Sequence, residues 1–309
     1  MRRLRSDFAP STAPGHAVIT GGSSGIGLAL ARRLTSAGWD LTILARDPTR
    51  LAAANSELMQ LRRNPEQRIV SRSVDVADDE AVAEVVAAAI AMLGPPALVV
   101  ASAGMVPPGR FDELPLEAFQ RAMAVNYFGT LHLVRAVLPA MQQRGGGRIV
   151  MIASGVALVA FYGYTAYASS KFAVRGLAEA LRSELAPDGI GVSIVYPPDT
   201  DTPMLSAELT SRPAITSRLA GGARILSADA VAAAILRGIA RRRFAITPGW
   251  EMAGLGRFHS LVGPVLHRWW FDPLIARARR TGEDRRDGRW LGAARSFAKR
   301  CIARWGALP

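Results

Sequence analysis

Five tyrosines occur in the 309 residues, and only Tyr167 is followed four positions later by a lysine, Lys171. At that spacing two side chains share one face of a helix. A phenol near pKa 10 is a poor acid–base group at neutral pH. A neighbouring ammonium favours the phenolate, so the pair reads as a proton-transfer site. Ser154 closes an apolar strand candidate upstream and offers a hydroxyl to a substrate carbonyl. Asn126 interrupts an apolar stretch of a long predicted helix, 116–143. A mid-helix Asn costs propensity, which leaves a functional role or a capped or water-bound core Asn as the two readings. Among 38 basic residues only Lys171 and Lys299 are lysines. A lysine kept in such a chain marks a position that a guanidinium does not fill.

A second group of residues could hold a phosphate-bearing cofactor. The run Thr20-Gly21-Gly22-Ser23-Ser24-Gly25-Ile26-Gly27 follows a first apolar strand and opens a helix. Glycines there permit a tight turn and close approach of a pyrophosphate, and the helix presents its amide dipoles to it. The second strand ends at Ala45-Arg46. A carboxylate at that tip would bind the ribose hydroxyls of NADH, and none is present. Arg46 would pair with a 2′-phosphate, so NADPH is the expected cofactor. The alternative is a solvated arginine, partly neutralised by Asp47. Asp75-Val76 ends the third strand, where a carboxylate could meet an adenine edge. Ser102-Ala103-Gly104 ends the fourth, where small side chains leave room for a ribose.

These groups need a frame. Strand candidates fall at 16–20, 40–45, 68–74, 97–101, 147–153, 191–196 and 244–247. Helices are expected between them, at 25–37, 48–62, 79–93, 116–143, 165–186 and 227–241. Strands that are apolar throughout and alternate with helices imply a parallel sheet covered on both faces. The expected fold is therefore α/β, a Rossmann-type doubly wound sheet of about seven strands with a helical C-terminal extension. The expected division is a basic leader at 1–14, a Rossmann domain at 15–249 and the extension at 250–309.

The net charge of +13 invites a nucleic-acid reading, and its placement excludes one. Residues 6–240 carry 20 basic and 20 acidic side chains, so the excess lies in the two ends. The single Cys301 and four scattered histidines show no metal-ligand spacing, so no metal is expected. No secretory signal and no spanning run is seen. Arginine richness of this kind points to GC-rich codons and a bacterial source, at the cytoplasmic face of the inner membrane.

Together the Thr20–Gly27 loop, Asn126, Ser154 and Tyr167-Ala-Ser-Ser-Lys171 resemble the short-chain dehydrogenase/reductase superfamily over about residues 15–250. The resemblance implies hydride transfer with NAD(P) and an Asn-Ser-Tyr-Lys tetrad. It also implies that Lys171 holds the nicotinamide ribose, that Asn126 fixes a water in a proton relay, and that Thr202 contacts the carboxamide. Pro197 lies in the same cofactor-facing run. Ser102 departs from the usual Asn-Ala-Gly, which weakens the contact between sheet and cofactor, and Pro198 stands in a Pro-Gly position. A homodimer or homotetramer paired through helices 116–143 and 165–186 is likewise implied. The runs Ser73-Val-Asp-Val, Thr165–Arg182 and Tyr196-Pro-Pro-Asp-Thr-Asp-Thr-Pro203 are similar to 3-ketodihydrosphingosine reductases. That branch implies NADPH-dependent reduction of 3-oxosphinganine, a long-chain keto lipid. Another short-chain reductase, of a 3-oxoacyl or steroid-like ketone, and a non-enzymatic scaffold are the alternatives.

Past residue 249 lie all the tryptophans except Trp39. Trp290, Ala294, Phe297, Cys301 and Trp305 form one stripe at helical spacing, with arginines beside it. A basic, Trp-rich segment fits an anionic membrane surface. The alternative is packing on the domain or on a partner.

Overall fold

The computed structural model describes residues 14–220 and 224–281. The leader 1–13 and the expected stripe at 289–305 lie outside the described residues.

The first half alternates strand and helix: β1 (His16–Thr20), α1 (Gly25–Ser36), β2 (Asp40–Ala45), α2 (Pro48–Gln60), β3 (Ile69–Ser73), α3 (Asp79–Leu93) and β4 (Leu98–Ala101). Helix starts follow local chemistry. Asp47 accepts the amides of Thr49 and Arg50 ahead of Pro48, and Asp78 accepts that of Ala81. The second half continues with α4 (Leu116–Ala122), a π-helical stretch (Met123–Phe128), α5 (Gly129–Arg144), β5 (Gly147–Ile152), α6 (Thr165–Glu184) and β6 (Ile190–Val195). A loop region follows, with a two-residue β7 (Thr200–Asp201), α7 (Pro203–Leu209), α8 (Ala214–Ala220) and β8 (Leu226–Ser227). Then come α9 (Ala228–Ala240) and β9 (Ala245–Ile246).

The seven-stranded sheet has the order β3-β2-β1-β4-β5-β6-β9, all pairs parallel, while β7 and β8 pair separately. The order in which strands are added reverses between β1 and β4, where Thr20 lies beside Ala101. A crevice outside the carboxyl ends of strands forms at such a switch point. One core fills the face covered by α3, α5 and α6, with Val99, Leu133, Ile149 and Val174 fully buried. The other fills the face covered by α1, α2 and α9, with Ile19, Leu30, Leu58 and Ile235 fully buried.

The long expected helix 116–143 is broken by the π-helical stretch, and Asn126 sits in it. The wider turn leaves its backbone carbonyl to the Thr130 hydroxyl, at 2.8 Å. Such one-turn widenings cluster at functional sites.

The described part of the extension consists of α10 (Trp250–Leu266), a π-turn (His267–Phe271) and α11 (Asp272–Arg280). It lies against the body through few buried side chains, chiefly Met252, Phe271 and Ala278. Met252 joins the core that includes Ala157 and Leu158, and the Phe271 ring packs, tilted, 5.7 Å from that of Phe161. Arg175 of α6 reaches His259 of α10 at 3.1 Å. No described helix is long and apolar enough to cross a membrane.

Candidate active site

The glycine-rich loop is shaped by close backbone approach. A Cβ on Gly27 would stand 2.3 Å from the Gly21 carbonyl oxygen. On Gly21, which has φ +67°, it would stand 2.9 Å from the Ser102–Ala103 backbone. Neither contact can relax by moving a side chain. Ser24 precedes α1 in extended conformation and makes no side-chain cap, so the first amides of the helix point outward without a protein partner at that cap. An anion fits there. Thr20 closes the other wall. Its Oγ1 accepts the amides of Ser102 and Ala103 at 3.1 and 3.2 Å. This bridge uses the Ser102 backbone, so it does not depend on the side chain that departs from the family pattern.

At the second and third strand tips the details differ from expectation. Arg46 is exposed, and its guanidinium makes no hydrogen bond among the described residues. Asp47 does not neutralise it, because that carboxylate caps α2 and faces Arg50 at 3.4 Å. Asp75 is not a bare carboxylate awaiting an adenine. It holds Arg121 in an ion pair and accepts the Ala77 amide. Burial works against its charge, but Arg121, the amide and the nearby Arg46 outweigh burial and hold it below the usual carboxylate range. Val76 is buried, and its carbonyl accepts His132 Nδ1 at 3.0 Å.

Beyond the loop opens a cavity of about 680 Å³. Gly21, Ser24, Gly25, Ile26, Ser102, Ala103, Gly104, Pro197 and Thr202 line it together with Ser154, Tyr167 and Lys171. Thr20, Gly27 and Asn126 are buried behind its wall. Ser23, Arg46, Asp75 and Val76 do not line it. The carboxyl ends of β1, β4, β5 and β6 thus bring the two sequence groups into one space.

Lys171 is buried in α6, with Nζ donating to the Ile152 carbonyl at 2.9 Å and lying 5.8 Å from the Tyr167 ring centre. Burial pulls its ammonium down to about 8. Ser154 begins a short turn and accepts the Val156 amide at 3.3 Å, and its hydroxyl lies near enough to the Tyr167 phenol to favour the phenolate. The expected lowering of the phenol by Lys171 is not the dominant effect. Burial pushes Tyr167 well above its ordinary value; Ser154 pulls it back, the charges of Glu208 and Asp199 raise it further, and Arg212 opposes them. Lys171 gives up its proton at about 8, before the raised phenol ionises, so it does not hold the phenolate.

Asn126 is a core amide satisfied by protein groups. Its Oδ1 accepts the Met105 amide at 2.8 Å, and its Nδ2 donates to the Met105 carbonyl and the Ser170 hydroxyl at 3.0 and 2.8 Å. It is fully buried and satisfied, and it ties the loop after β4 to the residue before Lys171. Gly104 completes the fit, since a Cβ there would stand 3.1 Å from Asn126 Oδ1.

Sequence reasoning missed a further network in the cavity wall. Arg212 donates to Glu208 at 2.7 Å and to Asp199 at 2.9 Å, and the Tyr164 phenol donates to Glu208. Tyr164 packs 5.8 Å from Tyr167. Asp199 lay in the quoted run 196–203, but Glu208 and Arg212 carried no spacing signal. The extension was also missed as part of the site. Trp250, Met252, Leu255, Leu266, Trp270 and Phe271 line the same cavity.

The fold and much of the sequence are matched by known proteins. The short chain dehydrogenase family pattern covers residues 15–212. The chain belongs to that family. It is 38% identical over 258 residues to a 3-ketodihydrosphingosine reductase of Bos taurus, covering 83% of this chain and 78% of the relative. A 3-dehydrosphinganine reductase of Arabidopsis thaliana is 38% identical over 235 residues, covering 75% and 69%. Among solved structures, an alcohol dehydrogenase from Thermococcus sibiricus complexed with 5-hydroxy-NADP superposes with a TM-score of 0.65. It is 28% identical, covering 76% of this chain and 96% of its own. Membership makes the chain an oxidoreductase that uses a nicotinamide dinucleotide, and the loop and its uncapped helix start fit that group. The bacterial source and inner-membrane location expected from arginine richness are corrected by the same comparison. The sphingoid-ketone reductases it matches include animal, plant, Dictyostelium and fungal proteins, so a bias toward arginine does not place the chain in a bacterium.

Proposed function

We propose that this protein reduces 3-oxosphinganine to sphinganine with NADPH. The observation that carries the reading is one cavity in which a serine–tyrosine hydroxyl pair faces a long apolar wall supplied by the extension. The animal and plant relatives support it, since their names state this ketone. The dinucleotide supplies a hydride for the ketone carbon. Tyr167 supplies the proton to the ketone oxygen, and Ser154 gives that oxygen its second hydrogen bond. Lys171 holds a ribose hydroxyl beside Tyr167, and Asn126 acts as a positioning residue through Met105 and Ser170. The loop from Thr20 to Gly27, with Ser102, Ala103, Gly104, Pro197 and Thr202, cradles the dinucleotide. Arg46 receives the 2′-phosphate, and Asp75 with Val76 frames the adenine side. Residues 15–249 form the catalytic body, and α10 with the π-turn after it walls one side of its cavity.

The outer face of the extension supports attachment to an anionic lipid surface. Trp250, Leu261 and Trp269 are 80%, 73% and 75% exposed. Arg257, Arg268 and the basic end of α11 (Arg277, Arg279 and Arg280) lie alongside. Aromatic side chains entering a headgroup region beside arginines are the usual pattern of interfacial helices. A lipid ketone would then reach the cavity from the bilayer.

The test is turnover of purified protein with 3-oxosphinganine and NADPH. Tyr167→Phe should lower kcat by about 10²–10⁴-fold and leave cofactor affinity unchanged. Faster reduction of a 3-oxoacyl thioester or a steroid ketone would overturn the substrate. Flotation with anionic vesicles tests attachment, and Leu261→Glu with Trp269→Glu should abolish it.

A further inference from the structure

The cavity is acidic in a basic protein. Four charged side chains line it, Lys171, Asp199, Glu208 and Glu251, while the chain carries +13. Lys171 is committed to the Ile152 carbonyl. Glu208 is 8% exposed, and its Oε1 takes both Tyr164 and Arg212. Glu251 Oε2 accepts the Arg224 amide. Asp199 is the more open of the two carboxylates that share Arg212. Its Oδ2 takes Arg212, while its Oδ1 has no hydrogen-bond partner among the described residues, and its side chain is 32% exposed at the cavity wall.

We infer that Asp199 selects an aminoketone, receiving through Oδ1 a protonated amine on the carbon next to the ketone. The inference rests on the reading of the substrate given above and names the group that recognises its head. Three observations carry it. One guanidinium stands against two carboxylates, so the Asp199–Arg212–Glu208 group keeps a net negative charge that an ammonium would balance. The group is near the chemistry, since the charges of Glu208 and Asp199 act on the Tyr167 phenol. The carboxylate is held in place: the backbone of Asp199 accepts the Leu226 amide at 3.1 Å, and Thr200 Oγ1 closes onto Pro198 at 2.8 Å. The same charge disfavours ketones carried on phosphate-bearing thioesters, which separates this substrate from a 3-oxoacyl one.

The experiment compares 3-oxosphinganine with its N-acetyl derivative, which keeps the ketone and tail but has no charge. The wild-type protein should favour the amine by about tenfold or more in kcat/KM, the range for a hydrogen bond to a charged group. Asp199→Asn should remove most of that preference through KM for the amine alone, with KM for NADPH unchanged, and Asp199→Glu should restore it. A second measurement needs no variant. In the wild type the preference should fall above about pH 8, where an amine beside a carbonyl loses its proton. An Asp199→Asn protein that keeps the preference, or a wild-type preference that does not change with pH, overturns the inference. A wild-type protein inert toward both ketones overturns the substrate reading as well.

Discussion

Lys171→Met should make this protein more stable while abolishing its activity. The wild-type ammonium is buried, 5% exposed, and pulled down to about 8 from the ordinary 10.5 of a lysine. At about 1.36 kcal/mol per pH unit, burying that charge costs about 3 kcal/mol. The sign follows from linkage. Below pH 8 the lysine is protonated in both folded and unfolded chains, so the full cost is present. As pH rises from 8 toward 10.5 the folded lysine loses its proton first, and the cost disappears. Methionine has a similar shape and no charge. It loses the 2.9 Å bond to the Ile152 carbonyl, worth about 1 kcal/mol. The net gain near pH 7 is about 2 kcal/mol, or about 4–8 °C in Tm for a domain of this size. The assay is thermal melting of both proteins without cofactor at pH 7 and pH 10, alongside turnover. At pH 10 the remaining cost is below about 1 kcal/mol, so the melting order should level or reverse. Effects of other titrating groups cancel in the difference. If Lys171→Met melted at or below the wild type at pH 7, or if the gap were the same at both pH values, the account of a strained buried ammonium would be wrong.

Three further outcomes follow from the geometry. Arg46→Ala should reduce the kcat/KM preference for NADPH over NADH by about 10–100-fold, the worth of a hydrogen bond to a charged phosphate; an unchanged ratio in paired kinetics counts against the assignment. Gly27→Ala places a Cβ 2.3 Å from the Gly21 carbonyl, so it should cost more than about 2 kcal/mol and weaken dinucleotide binding, as read by melting and fluorescence titration. Phe271→Ala removes the main ring anchoring the extension and part of the cavity wall. A fully buried Phe→Ala change costs about 3–5 kcal/mol; here the loss should fall on local docking, raising KM for a long-chain ketone more than for a short one in parallel assays.

Comparison of particular elements shows which signals were local. The strands were legible because each is short and largely apolar, and all seven agree within a residue at each end with their expected bounds. β9 is shorter than expected because only Ala245 and Ile246 pair with β6 at the sheet edge. Tyr167 and Lys171 were legible because their spacing is a property of one helix. The π-helical stretch was not, since a single inserted turn leaves no mark in hydrophobic period. The protonation of Tyr167 was misjudged, because its environment depends on burial and on Glu208, Asp199 and Arg212 from another segment. The source expectation failed for a different reason: arginine content reflects codon supply and carries no structural constraint.

The sequence by itself determined the sheet, the glycine-rich loop and the placement of Tyr167 and Lys171 on one helix face. Those depend on residue type and near-neighbour spacing, which a helix or strand converts directly into position. Tertiary structure decided what surrounds them. Packing brought Asp199 and the Glu208–Arg212 pair beside Tyr167, and it laid Trp250, Met252 and Phe271 across the cavity. No local period specifies such contacts, because they arise where segments distant in the chain close over the carboxyl ends of the strands.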